Sequence, residues 1–142
     1  MENTENKQRG FGKSERSTFS YWFAHWCAYN MVALTLHAWK FKYLFHDIEK
    51  PWLRLFLPYE KVQKFHRTHN RHHPQYKGGV DRFDFEAMLI DWECSRYTKI
   101  SSPKTGREMI TDEVLRFQKT NSHEDTVRFQ TELYKTADKL KI

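Results

Sequence analysis

Thr18-Phe19-Ser20-Tyr21-Trp22-Phe23-Ala24-His25-Trp26 opens a stretch that runs to Trp39 without a proline, a glycine or a charged side chain. Nothing breaks a helix before the mid-thirties, so the stretch reads as one long apolar helix starting near Thr18. His25, Asn30 and His37 interrupt it at intervals. That makes it a buried core helix rather than a membrane span, whose hydropathy would have to be far higher.

The rest of the chain follows the same pattern. A second helical stretch covers about 39–56, closed by Pro58, and Pro51 inside it marks a kink or a restart. Residues 59–72 keep apolar spacing at Val62, Phe65 and His69, and Pro74 stops them. Gly78-Gly79 is a loop. A further helix spans 85–97, with Met88, Leu89 and Trp92 on its buried face, and 101–106 form a linker. Two amphipathic helices end the chain, near 111–119 and 122–140, the second entered by Ser122-x-x-Asp125 in the manner of a capping box. No strand-like alternation or repeat occurs. The expectation is an all-α, single-domain helical bundle over 18–142, preceded by a flexible tail over 1–17.

Composition bounds the function. A chain of 142 residues fits one domain and buries a core without staples. Its 39% hydrophobic and 30% charged residues exclude wholesale disorder. Two distant cysteines, Cys27 and Cys94, exclude a disulfide framework and a thiolate zinc site, and suit a reducing compartment. No signal-peptide pattern is visible, so a cytoplasmic, membrane-free protein is expected. The net charge of +6 resides in residues 40–82, where ten basic side chains face four acidic ones. Such a block suits an anionic partner: a phosphate ester, a nucleotide or a nucleic acid.

The chemistry lies in an ordered series of imidazoles and carboxylates: His25, His46-Asp47, His69-x-x-His72-His73, Asp91. These groups suit zinc, iron, manganese and related divalent ions. Singly, each has an ordinary explanation, such as a hydrogen-bonded core histidine or an Asp–Arg pair. Jointly they fall on helices in a workable order. His66, His69 and His73 stand at i, i+3 and i+7 and would share a helix face. Asp91 sits in Met88-Leu-Ile-Asp-Trp92, where an isolated buried carboxylate would be very costly unless paired or metal-bound. His25 and His46 lie 21 residues apart, about 31 Å on a straight helix. They can share an ion only if the chain turns back near His37, which makes His37 a turn residue.

His46-Asp47-Ile48-Glu49-Lys50-Pro51 resembles the HD-x-x-K-P stretch of the HD-domain superfamily of metal-dependent phosphohydrolases, which are all-α. The combination of His25, HD-x-x-K, His69-Asn70-Arg71-His72-His73 and Met88-x-x-Asp91-Trp92 is similar to a small family of bacteria and their phages. The likeness spans about residues 20–97. It implies one or two divalent ions (Zn, Mn, Mg, Co, Ni or Fe), with His25, His46, Asp47 and Asp91 as the ligands of one. His69 and His73 would add a second. Asp47 and Lys50 would be catalytic. Lys50, Asn70, Arg71 and His72 would meet the substrate, with Asn70 also able to orient a ligand histidine. The implied activity is hydrolysis of a nucleotide or other small phosphoester, of nucleotidase or phosphodiesterase type, in the cytoplasm (the host's, if the chain is phage-encoded). A di-iron oxygenase with the same ligands is one alternative. A non-enzymatic basic module binding nucleic acid or a partner protein is another, although no nucleic-acid motif accompanies the charge.

Overall fold

The structure, a computed structural model, describes residues 10–100 and 103–142. Six α-helices follow in order: α1 (Phe19–Thr35), α2 (Glu49–Arg54), α3 (Tyr59–His69), α4 (Phe85–Thr98), α5 (Gly106–Phe117) and α6 (His123–Leu140). No β-strand occurs among the described residues; Phe11 and Lys99 form one isolated bridge. The chain is a single all-α domain around one core, as expected. No helix among the described residues is long and apolar enough to cross a membrane.

The Thr18 hydroxyl accepts the Tyr21 N–H and caps α1. The helix ends where His37 takes a left-handed conformation (φ 54°), and the chain turns back there, as the spacing of His25 and His46 requires. The expected second helix is not continuous. Phe41–Phe45 form a 3₁₀ turn, the His46-Asp47 pair makes a bend, and α2 begins only at Glu49. Asp47 causes the break with its own left-handed backbone (φ 56°), a conformation that aspartate tolerates better than most residues. Pro51 is the third residue of α2, where its missing N–H costs no intrahelical bond, so it marks a restart and not a kink.

Helix α4 is the axis of the domain, with Ala87 through Ser95 all buried. Helix α1 covers one side, while α5 and α6 cover the other. Gly106 lets α5 begin directly against α4: a Cβ there would stand 2.9 Å from the Leu89 carbonyl oxygen. The two C-terminal helices close the core through stacked Phe117 and Phe129 rings, 4.3 Å apart, together with Ile110 and Leu133. A capping box of Thr105 and Glu108 starts α5 five residues before the sequence pattern does. At α6 the Ser122 hydroxyl accepts the Asp125 N–H, which is half of the expected box.

Residues 10–17 do not form a tail. The Phe11 N–H donates to the Thr98 carbonyl at 2.9 Å, its ring meets Tyr21 edge-on, and Glu15–Ser17 form a 3₁₀ turn leading into α1. Residues 1–9 of the expected tail, and 101–102 of the expected linker, lie outside the described residues.

Two carboxylates at the start of α4 tie it to the returning chain. Asp84 pairs with Lys42, and Glu86 with Lys40 at 2.6 Å and the Tyr43 hydroxyl at 3.0 Å. Burial alone would raise both carboxyl pKa values, but these donors outweigh it and hold both below their usual range. A depressed carboxylate contributes stability above its unfolded pKa and loses it as pH falls through the folded value. The melting temperature should therefore drop on acidification below about pH 4.5. In the double variant Lys40→Ala, Lys42→Ala that slope should flatten; an unchanged slope would show that these pairs do not anchor α4.

Candidate metal centre

Helix α1 presents Trp22, His25 and Tyr29 at i, i+3 and i+7, and all three work on the His46-Asp47 bend. The Trp22 indole N–H donates to the Asp47 carbonyl at 2.9 Å. The Tyr29 ring stacks on His46 with centroids 3.6 Å apart and planes within 12°. His25 Nε2 stands 3.3 Å from His46 Nε2. From α4, Asp91 Oδ1 approaches His25 Nε2 to 2.9 Å and His46 Nε2 to 3.5 Å. Residues 25, 46, 47 and 91 thus converge from three parts of the chain, and all four are buried.

A second group closes on the other side of Asp47. Its Oδ1 lies 3.1 Å from His66 Nε2 and 3.3 Å from His72 Nε2, and His73 Nε2 is 2.8 Å from His66 Nε2. His66 comes from the last turn of α3. His72 and His73 come from the following turn, which the Asp84 N–H holds through the Arg71 carbonyl at 2.8 Å. Behind His66, Glu49 Oε1 contacts Nδ1 and accepts the Asn70 amide at 2.8 Å. That carboxylate orients the ring so that Nε2 faces Asp47, the usual support of a ligand histidine.

These groups fit a divalent ion. A tetrahedral ion with bonds of about 2.0–2.1 Å has donor–donor edges of about 3.3–3.4 Å. Around the first group the separations run 2.9 Å (His25–Asp91 Oδ1), 3.3 Å (His25–His46), 3.5 Å (His46 to Asp47 Oδ1 and to Asp91 Oδ1) and 3.7 Å (His25 to the other Asp47 oxygen, Oδ2). Asp47 Oδ1 and His72 Nε2 are buried, face each other, and have no hydrogen-bond partner among the described residues. Orphaned acceptors of this kind are costly unless something binds them. Overlapping subsets, including His25-Asp91-Cys94 and Asp47-Glu49-His66, are also close enough to hold an ion.

The electrostatics agree. Burial pushes His46 down to about 4, so it stays a neutral donor at ordinary pH. Burial and His72 likewise hold His73 well below its usual value. Burial alone would raise Asp47, but His46, Lys50 and His66 outweigh it and keep the carboxyl far below its usual range. For Asp91 burial also opposes ionisation, and the close His25 and His46 rings prevail. Asp47, Glu49 and Asp91 are thus anionic, and against them stand the Lys50 ammonium, 2.6 Å from Asp47 Oδ2, and His66, whose pKa Asp47 and Glu49 raise although burial alone would lower it. Buried carboxylates in excess of buried cations favour binding a cation.

The sequence expectation needs correcting at five positions. His69 is exposed on α3, its ring stacked on Phe65 and its Nδ1–H donating to the Phe65 carbonyl at 2.9 Å. Helix α3 buries Val62 and His66, one turn apart, not Phe65 and His69. His73 does join the cluster, but from the turn beyond α3 and not from a shared helix face. Asn70 contacts Glu49 at 2.8 Å and His66 Nδ1 at 2.9 Å, which is its expected place behind a histidine of the cluster, and does not line the cleft. Arg71 ties the loop by donating from Nε to the Arg82 carbonyl at 2.5 Å, and His72 stands among the ligand-type groups. His66 and Glu49 were missed as members of the site. Their signal was the buried spacing Val62–His66 and the carboxylate two residues after Asp47. His66→Ala is therefore expected to weaken metal affinity by at least about 10–100-fold, while His69→Ala leaves it unchanged. Equilibrium dialysis with zinc checks this, and the reverse ranking would overturn the assignment.

Beside the cluster, a cavity of about 220 Å³ opens between the start of α1, α2 and α3. His25, Asp47 and Lys50 lie at its inner end, and Arg16 and Arg54 line it further out. No protein family, no curated protein and no solved structure matches this chain.

Proposed function

We propose that the protein is a metal-dependent phosphohydrolase acting on a small phosphoester, of the nucleotidase or phosphodiesterase type. One observation carries the reading: the buried Asp47 belongs to both donor groups, its Oδ1 facing His66 and His72, and it also lines a cleft that Lys50, Arg16 and Arg54 line. His25, His46, Asp47 and Asp91 would hold one divalent ion; Asp47, His66, His72 and His73 would hold a second. Ions so placed lower the pKa of water toward neutrality and offset charge on phosphoryl oxygens.

The remaining work falls to the chain. Asp47 belongs to both groups, and the left-handed bend and the Trp22 hydrogen bond fix its position. Glu49 holds His66 in one orientation. Lys50 is half-buried, with 19% of its side chain exposed, and lines the cleft. Asp47 keeps its pKa raised although burial alone would lower it, so the ammonium is a permanent charge beside the reacting phosphoryl group.

The test combines elemental analysis of the purified protein with turnover of a phosphoester panel that includes nucleoside monophosphates. Bound Zn, Mn, Mg, Co or Ni together with phosphate release supports the reading. Two irons with oxygen-dependent turnover, or a protein without metal, overturns it. Within an active enzyme, Lys50→Ala should keep its metal and lose about 10²–10³ in rate, on the order of 3–4 kcal/mol. His37→Ala, at the exposed turn, should change neither quantity.

A further inference from the structure

We infer that the phosphoester taken by this cleft carries an apolar alcohol: the ligand class is a monoalkyl or prenyl phosphate rather than a nucleotide. The inference rests on the phosphohydrolase reading for its chemistry, whereas the binding argument stands on the cleft alone. At the inner end, Lys50 beside the metal-ligand cluster defines the place of an anionic head. Beyond that head the faces of Trp22, Pro51, Leu55 and Val62 line the cleft, with the Arg16 and Arg54 side chains among them.

Four neutral groups of the wall are already engaged. The Trp22 indole N–H is taken by the Asp47 carbonyl at 2.9 Å. The Thr18 hydroxyl donates to the Glu15 carbonyl at 2.7 Å and accepts the Tyr21 N–H at 3.1 Å. Ser17 donates to the Ser14 carbonyl at 3.4 Å, and the Gln63 amide to the Tyr59 hydroxyl at 2.5 Å. A base or sugar placed here would exchange its hydrogen bonds to water for contact with carbon, and such unmade bonds are costly. An alkyl group loses nothing of the kind and gains by leaving water.

Size and rim agree with this. About 220 Å³ is less than the 300 Å³ or so at which pockets begin to enclose drug-sized ligands, so the cavity encloses a phosphate and a short group, and a longer chain must continue over the edge. The edge is open to solvent and carries apolar side chains: Phe19 is 65% exposed and Leu55 71%, with Trp52 on α2 and Phe56 just after it also exposed. Exposed carbon of this kind marks a contact surface. Head and tail of an amphiphilic phosphate thus each meet matching chemistry. Hydrolysis would break the P–O bond with one water and release the alcohol and inorganic phosphate.

The experiment titrates the full chain with inorganic phosphate, ethyl, butyl and hexyl phosphate, and adenosine 5′-monophosphate, reading tryptophan fluorescence and heat. Affinity should rise by up to about fourfold per methylene along the alkyl series, with the nucleotide no tighter than ethyl phosphate. Phe19→Ser and Leu55→Ser, both at exposed positions, should flatten the series and leave inorganic phosphate affinity and metal content unchanged. A flat series in the wild type, or a nucleotide that binds more tightly than hexyl phosphate, overturns the inference. The metal-loaded protein is then mixed with hexyl phosphate. Hexanol and phosphate appearing together supports both readings. The alkyl trend without turnover under any of the named metals overturns the hydrolase reading and upholds the ligand class.

Discussion

Asp47→Asn is expected to abolish metal binding at both groups at once, and with it all phosphoester turnover, whereas removal of any single histidine weakens one group first. Asparagine is the informative replacement. It keeps the shape of the side chain and tolerates the left-handed backbone at φ 56°, which alanine would occupy at a cost of about 1–2 kcal/mol. What it removes is charge: Asp47 is the carboxylate that Lys50 approaches to 2.6 Å and that His46, His66 and His72 surround within 3.5 Å. Losing one group that stabilises developing charge costs about 10²–10³ in rate, and losing the metal as well should take the loss beyond that. Metal content of the variant, measured beside its circular dichroism spectrum, separates loss of the ion from loss of the fold. A folded Asp47→Asn protein that retains wild-type metal and turnover would sink the assignment of Asp47 as the shared ligand.

Chelation is expected to lower the melting temperature by on the order of 10 °C, since an ion at 100–1,000 times its dissociation constant stabilises the folded chain by about 2.7–4.1 kcal/mol. The physical reason lies in what the ion holds together. Asp47 and Asp91 are buried carboxylates brought within reach of the same imidazoles, and like charges confined this way repel unless a cation lies between them. Helices α1 and α4 and the His46-Asp47 bend meet at that point, so loosening it should affect the whole domain in one transition. The check is a melt in excess chelator with metal loss verified by elemental analysis, followed by restoration on adding the ion back. Unchanged melting after proven removal would mean that the cluster folds without help from the ion.

Much of this architecture is legible from the chain alone, because it depends on local rules. The Thr18 cap, the uninterrupted apolar run after it and Pro58 at the start of α3 bound helices by their own backbone chemistry, whereas α3 ends at His69, short of Pro74. The turn at His37 follows from arithmetic: two groups about 31 Å apart on a straight helix cannot meet unless the chain reverses between them. The convergence of His25, His46, Asp47 and Asp91 needed only that reversal and the cost of burying Asp91.

The second ligand group is different, since what decides it is which face of a short helix turns inward. His66 and His69 lie close on α3, and spacing along the chain ranks neither above the other. Packing of Val62 against the body selects His66 and leaves Phe65 and His69 in solvent. The end of α3 at His69 then lets residues 71–73 turn, which brings His72 and His73 around to Asp47 from outside any helix. Glu49, Asn70 and Arg71 acquired their roles in the same way, through partners 11 to 21 residues distant. The sequence by itself determined most of the helices, the reversal and the meeting of His25, His46, Asp47 and Asp91. The tertiary structure alone decided the second set, because burial of a helix face is a property of its neighbours and not of its own periodicity.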